Sequence, residues 1–140
     1  MITVNRKYRF CASHRLHVPS LGEEENAELF GKCNNPFGHG HNYEIELSVE
    51  GPIEQASGRA VDPAALDDLV HRTIISRYDH RYLNEELPEF ATEVPTTENL
   101  ARQIELRLNQ AWGNVFPGAW PRLRGIRIFE TSNNIFEIVR

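Results

Sequence analysis

The residues with the most distinctive chemical potential are the two histidines of Gly38-His39-Gly40-His41. They lead into Asn42 to Gly51, where Tyr43, Ile45, Leu47 and Val49 alternate with Glu44, Glu46, Ser48 and Glu50. Period-two alternation of this kind marks a half-buried strand. Carried back from Tyr43, it puts His39 and His41 on the apolar face. Side chains two apart on a strand are ~6.5–7 Å apart at the backbone, and zinc takes imidazole nitrogens at ~2.0–2.1 Å, so both rings can converge on one ion. The flanking glycines allow close approach of backbone or ligand. His14 is the third candidate, because its parity matches Tyr8 and Phe10 on the opening strand. His17 has the opposite parity and precedes Pro19 closely, which ranks it lower. A lone histidine in a glycine loop is most simply a satisfied polar residue. Three on one face suit a metal, and an open fourth position would accept water or a substrate oxygen.

Cys33 lies in Lys32-Cys33-Asn34-Asn35-Pro36, shortly before the histidine pair. It reads as a small buried hydrophobe, a fourth ligand, or a thiolate base whose pKa is lowered by Lys32 and a metal. Spacing leaves ligand and base both open. Cys11, within the first strand, is expected to be inert. Asp79-His80 ends a helix, where a histidine ordinarily complements the dipole; the alternative is an acid–base pair. His71 falls inside that helix as a surface residue. Glu130 shares parity with Ile126 and Ile128 and so ends an apolar face. A carboxylate there either caps the sheet in water or grips an amino-pyrimidine edge as it would a guanidinium, and the residues leave both readings open.

These groups need elements to hold them. Ile2 to Ala12 alternates as a first strand, and the polar, acidic stretch Gly22 to Asn26 and then Gly31 to Gly40 have loop chemistry. Asp62-Pro63 starts a helix with the stripe Leu66, Leu69, Val70, Thr73 and Ile74, running to about Tyr78. A second helix starts near Thr96-Thr97-Glu98 and buries Leu100, Ile104, Leu108, Ala111 and Trp112. Trp112 to Pro121 reads as a loop, followed by strands Arg124 to Glu130 and Ile135 to Val139. The order ββααββ, without repeat or linker, predicts one α+β domain over 1–140. Its sheet would be antiparallel and four-stranded, with two helices on one face.

The 140 residues are 40% hydrophobic and 25% charged with a formal net charge of −5, which argues against nucleic acid as partner but leaves an anionic small molecule open. No apolar run approaches the ~20 residues of a membrane helix, and the start lacks a signal-peptide layout. Cys11 and Cys33 read as free thiols in a reducing compartment, which places the expectation in the cytoplasm.

Taken together, these segments resemble the 6-pyruvoyl-tetrahydropterin synthase family. The likeness runs through Phe10-Cys11-Ala12-Ser13-His14-Arg15-Leu16, Glu25-Asn26 and Leu29-Phe30-Gly31-Lys32-Cys33-Asn34-Asn35-Pro36-Phe37-Gly38-His39-Gly40-His41-Asn42-Tyr43. It continues in Asp79-His80-Arg81-Tyr82-Leu83-Asn84, Pro95-Thr96-Thr97-Glu98-Asn99 and Glu130-Thr131. The resemblance implies the tunnelling fold (T-fold), in which subunits join sheets into a barrel and trimers stack as a homo-hexamer. It implies Zn2+ on His14, His39 and His41, and catalysis by Cys33 with Asp79 and His80, which overturns the plain helix-end reading of that pair. It also implies Glu130 as pterin anchor, with Thr96 and Thr97 near the same ring. The implied reaction turns 7,8-dihydroneopterin triphosphate into 6-pyruvoyl-tetrahydropterin, as in tetrahydrobiopterin formation, with Lys32 and unassigned arginines available to the triphosphate. Phe37 stands where animal members usually carry Asn, and Cys11 where a small residue is usual.

The nearest competitor is 6-carboxy-tetrahydropterin synthase of queuosine biosynthesis, which typically has a shorter spacing between cysteine and histidine pair. A zinc hydrolase would need a carboxylate base beside the metal, and no HExxH helix is present. A non-catalytic zinc- or pterin-binding protein would not need Cys33, Asp79 and His80.

Overall fold

The computed structural model of the protein describes residues 1–36 and 38–140, so Phe37 lies outside the described residues. Two long strands form the centre: β1 (Ile2–His14) and β2 (His39–Gly51), antiparallel, with Phe10 opposite Tyr43 and His14 opposite His39. Both run further than the apolar alternation, because the histidines continue the inward rows. Tyr8, Phe10, Ala12 and His14 are buried on β1, and Tyr43, Ile45, Leu47 and Val49 on β2.

The buried rows face two helical segments. The first comprises α2 (Pro63–Val70), a π-helical turn (His71–Ile75) and α3 (Ser76–Tyr78), so the predicted helix to Tyr78 is present with a wider turn in its middle. Asp62 accepts from the Ala64 and Ala65 backbone N–H groups and Pro63 occupies the first turn, as expected of an N-cap followed by proline. Leu66, Leu69, Val70 and Ile74 are buried, while His71 is exposed. The second segment, α5, runs Thr97–Val115 with Thr96 as its cap, and buries Leu100, Ile104 and Leu108. It extends three residues past Trp112, into the stretch expected to be a loop. Two further strands, β4 (Arg122–Phe129) and β5 (Ile135–Val139), complete the antiparallel part.

Three features depart from the expected ββααββ layout. The sheet has five strands in the order β3-β1-β2-β4-β5, because Arg81–Tyr82 forms a short β3 parallel to β1. The acidic segment expected to be loop contains α1 (Glu23–Phe30), followed by a 3-10 turn (Gly31–Asn34). Helix α1 has no apolar stripe to announce it. Its start is organised by the buried Asn26 side chain, which accepts from Val18 N at 2.7 Å and donates to Val18 O at 3.1 Å and Gly22 O at 3.1 Å. Finally, Ser48 pairs with Gly125 but Val49 with Leu123, so Arg124 is a bulge that reverses parity at the head of β4. A short α4 (Leu83–Glu86) follows β3. No helix among the described residues is long and apolar enough to cross a membrane.

Behind the core, Glu89 receives Arg77 at 2.6 Å, Arg107 at 2.9 Å and the Tyr78 hydroxyl at 2.9 Å, with its side chain 7% exposed. Burial pushes the Glu89 carboxyl up. The donors from Arg77, its own backbone N–H and Tyr78, with the charge of Arg107, outweigh burial and hold it at about 2. Removing one partner of a desolvated ion cluster leaves the others unpaired. Glu89→Gln is expected to lower stability by about 2–3 kcal/mol in urea titrations, discounted because both guanidiniums keep some solvent. A carboxyl depressed in the folded state stabilises above its unfolded pKa and ceases to do so as pH falls through the folded value. Wild-type stability should therefore drop between ordinary carboxylate pH and about 2, and the Gln variant should lack that part of the slope.

Candidate metal centre

Because His14 and His39 are directly opposed on β1 and β2, their side chains leave the same face. His41, two residues along, joins them. The His41 and His14 Nε2 atoms are 2.9 Å apart, and the His39 ring centroid is 4.6 Å from that of His41. His14 is fully buried and its Nδ1 faces the Pro95 carbonyl at 2.9 Å. That carbonyl can only accept, so Nδ1 carries the proton and the Nε2 lone pair points at His41. Histidines that hold metals are oriented by such carbonyls. Burial lowers the His14 pKa to about 4 against the Pro95 hydrogen bond, and burial likewise lowers that of His41. Both rings are therefore neutral at physiological pH, the form that binds metal.

Cys33 arrives from the 3-10 turn, which is pinned to the chain after β1. Leu16 N donates to Cys33 O at 2.6 Å, and Asn34 Nδ2 donates to Leu16 O at 2.9 Å. His14, Cys33 and His41 offer ligand atoms that all lie within 4.8 Å of one another. His39 lies at the rim of this set while remaining on the same face, so the structure brings Cys33 closer than the three-histidine expectation did. The donor set fits a first-row divalent ion: neutral imidazoles with a thiol in reach. Two nitrogens bound to one tetrahedral zinc would be roughly 3.3 Å apart, so the imidazole pair need open only slightly. His17 is elsewhere, its Nδ1 3.2 Å from Asn34 Nδ2.

The expected lowering of the Cys33 pKa is not what the protein alone produces. Burial raises the thiol, Glu130 raises it further, and Lys32 is exposed rather than turned onto it. Glu130 follows β4 and reaches the same centre: its Oε1 is 3.9 Å from His41 Nε2. Its Oε2 accepts from the Thr97 hydroxyl. Thr97 is buried in the first turn of α5, whereas the Thr96 hydroxyl is occupied by Asn99 N at 3.2 Å as the helix cap. The two threonines thus have separate jobs, one orienting Glu130 and the other ending a helix. Phe10 stacks on Tyr43 at 5.2 Å, and Tyr43 lies 5.4 Å from the His41 ring, forming the apolar floor.

Asp79 and His80 are not with this group. Asp79 Oδ1 accepts from Cys11 N at 2.9 Å and His80 N donates to Cys11 O at 2.6 Å, on the exposed face of β1. The His80 side chain is 81% exposed, 3.5 Å from Asp79, on a residue with φ of 59°. A left-handed conformation is uncommon outside glycine and asparagine and is held here by the pairing with Cys11. Cys11 itself donates to Asn42 Oδ1 at 2.9 Å. Sequence reading gave no role to Asn84, whose side chain clasps Arg15 N and O at 2.7 Å each, and did not find the Glu89 cluster; neither has a local pattern to betray its contacts.

A profile of the family described as 6-pyruvoyl tetrahydropterin synthase matches residues 3–140. The 6-pyruvoyl tetrahydrobiopterin synthase of Poecilia reticulata is 42% identical over 135 residues, covering 94% of this chain and 86% of that protein. The structure of Caenorhabditis elegans 6-pyruvoyl tetrahydropterin synthase superposes with a TM-score of 0.87 at 36% identity, over 99% of this chain and 95% of that one. A 6-carboxy-5,6,7,8-tetrahydropterin synthase of Rickettsia felis is 24% identical over 153 residues, covering 99% of this chain and 100% of that protein.

Metal titration followed by cobalt spectroscopy tests the ligand set. His14→Ala and His41→Ala should each weaken zinc binding by two or more orders of magnitude, and His39→Ala by more than Cys33→Ala. A thiolate-to-cobalt charge-transfer band in the wild type would instead make Cys33 a ligand.

Proposed function

This chain belongs to the 6-pyruvoyl tetrahydropterin synthase family and is a lyase, and from that footing we propose that it converts 7,8-dihydroneopterin triphosphate to 6-pyruvoyl-tetrahydropterin with loss of triphosphate. The observation that carries this reading is the Glu130 carboxylate set 3.9 Å from His41, beside the cluster of His14, Cys33 and His41. A pterin anchored by its amino-pyrimidine edge at Glu130 has its side chain over the imidazoles. Identity of 42% to a pyruvoyl-forming enzyme against 24% to a carboxy-forming one supports the pyruvoyl product.

His14, His39 and His41 are the residues that would hold zinc. When bound, zinc supplies Lewis acidity at the substrate's side-chain hydroxyls and a positive charge beside the thiol. Cys33, as thiolate, takes the proton from the side-chain carbon next to the ring. Two hydrogens lost by that carbinol appear on the ring, so the pterin becomes tetrahydro without an external reductant. Loss of a proton from the next carbon expels triphosphate with the electron pair of the C–O bond, and the enol left behind tautomerises to the pyruvoyl group. Glu130, oriented by Thr97, fixes the ring throughout.

Asp79 and His80 are the proton relay, and they serve the Cys33 of a second copy. Their position on Cys11, away from their own chain's thiol, supports this. So does the uncovered β5 edge, where Ile135 and Val139 are 47% and 69% exposed, which suits sheets that join into a barrel. The assembly is a hexamer of two trimers, one domain per chain, and the two free thiols of each chain suit the cytoplasm.

Zinc-loaded protein incubated anaerobically with dihydroneopterin triphosphate should give the 6-pyruvoyl product and free triphosphate by mass spectrometry. A 6-carboxy product with acetaldehyde would move the chain to the sister reaction, and unchanged substrate would sink the proposal. Cys33→Ala should lower kcat by about 10²–10⁴-fold with zinc retained. Mixed and reassembled Cys33→Ala and His80→Ala chains should regain part of the activity, since some sites then combine an intact thiol with an intact relay. No recovery would place both groups in one chain's site.

A further inference from the structure

Arg15 is the anomaly among the arginines. The four other half-buried arginines of the described residues, Arg6, Arg77, Arg107 and Arg127, each face a carboxylate, at 2.5, 2.6, 2.9 and 3.5 Å. Arg15 is half-buried as well, yet faces no carboxylate within 4.0 Å among the described residues. It is nonetheless well fixed. Its Nε donates to the Asn34 carbonyl at 3.1 Å, and its own backbone N–H and C=O are both held by Asn84. A guanidinium seated through Nε keeps the donors of both terminal nitrogens for another acceptor. Withholding a counter-ion from a partly desolvated cation is unfavourable unless an anion arrives.

Strand order says where that anion belongs. Across one end of the sheet, β4, β2 and β1 are neighbours about 4.7–4.9 Å apart. Glu130 follows β4, His39 and His41 open β2, and His14 ends β1 with Arg15 next in the chain. Phe129 pairs with Glu44 while His14 pairs with His39, so carboxylate, imidazoles and guanidinium succeed one another diagonally, two strand spacings (about 10 Å) across and five residues (about 16 Å) along the strands. The Glu130 end is closed to an anion by Glu130 itself. Arg9, which shares that end, is 84% exposed and engaged by Glu44 at 3.3 Å. Lys32, exposed and with no carboxylate within 4.0 Å among the described residues, lies on the 3-10 turn that carries Asn34 and so borders the Arg15 end.

We propose that Arg15, with Lys32 at its rim, binds the triphosphate of the substrate on the side of the imidazoles opposite Glu130. This rests on the pterin triphosphate reading above and gives it a direction: ring at β4, hydroxyls at β2, phosphates past the end of β1. Arg15 then acts twice. It holds the substrate by its leaving group, and it meets the charge that grows on the phosphate oxygen as the C–O bond breaks. Asn84 and Asn34 are its positioning residues.

The test is calorimetric binding of inorganic triphosphate to zinc-loaded wild type and Arg15→Ala, since any direct chelation by zinc is common to both. Arg15→Ala should bind roughly tenfold to a hundredfold more weakly, the range for hydrogen bonds to a charged group. Lys32→Ala should lose less, and phosphate-free neopterin should bind Arg15→Ala as it binds wild type while Glu130→Gln weakens it. Wild-type triphosphate affinity in folded Arg15→Ala, or equal loss of triphosphate and neopterin, would overturn the assignment. If Arg15→Ala does not fold by circular dichroism, Arg15→Lys decides: intermediate triphosphate affinity supports the site and unchanged affinity refutes it. Wild type that binds inorganic triphosphate through Arg15 yet leaves dihydroneopterin triphosphate intact would sink the reaction and keep the anion site.

Discussion

The register between β1 and β2 is the constraint on which the site rests. With Phe10 opposite Tyr43, every inward residue of one strand faces an inward residue of the other, and His14 and His39 meet at the end of the rows. A slip of one position would turn Tyr8, Phe10 and Ala12 outward and remove the apolar surface that packs on α2 and α5. Full burial of one such side chain is favourable by about 1.5–3 kcal/mol, so the slip is prohibitive. The imidazoles are placed by the same force although they contribute little to it. They extend two apolar rows into a region where charge is disfavoured, which keeps His14 and His41 neutral and their lone pairs available.

The head of α5 supplies the second level of order. Three consecutive residues divide the work: the Pro95 carbonyl orients His14, the Thr96 hydroxyl caps the helix, and the Thr97 hydroxyl holds Glu130. A helix N-terminus thus ties strand β1 to the end of β4, spanning the width of the centre. The turn bearing Cys33 is tied from the other side through Leu16 and Asn34. These hydrogen bonds join parts of the chain that no local propensity brings together, and each locks a side chain that would otherwise be free to rotate.

Electrostatics divides the chemistry between the faces of the sheet. The inward face gathers the imidazoles, the thiol and Glu130, and there burial and the nearby carboxylate oppose ionisation of Cys33. The outward face carries Cys11 with Asp79 and the exposed His80, held in a left-handed turn. A single chain therefore holds acid–base groups on two surfaces that it does not itself join. Among the described residues Arg15, at the junction of β1 and its following loop, faces no carboxylate, unlike the other half-buried arginines.

The sequence by itself determined the inward face of each long strand, the shared face of His14, His39 and His41, and the helix starts at Asp62 and Thr96. Period-two and period-3.6 patterns record which side of an element meets the core, and caps record where backbone donors need a partner. Helix α1 was hidden because it is organised by Asn26 rather than an apolar stripe, β3 because two residues carry no period, and the bulge at Arg124 because it breaks the alternation that would reveal it. Only the tertiary structure decided that Cys33 approaches His14, that Thr97 rather than Thr96 meets Glu130, and that Asp79 and His80 lie on Cys11. Those contacts join residues as far apart in the chain as 33 and 68 positions. Periodicity describes an element against an average core, whereas such pairings depend on which elements pack together and in what register.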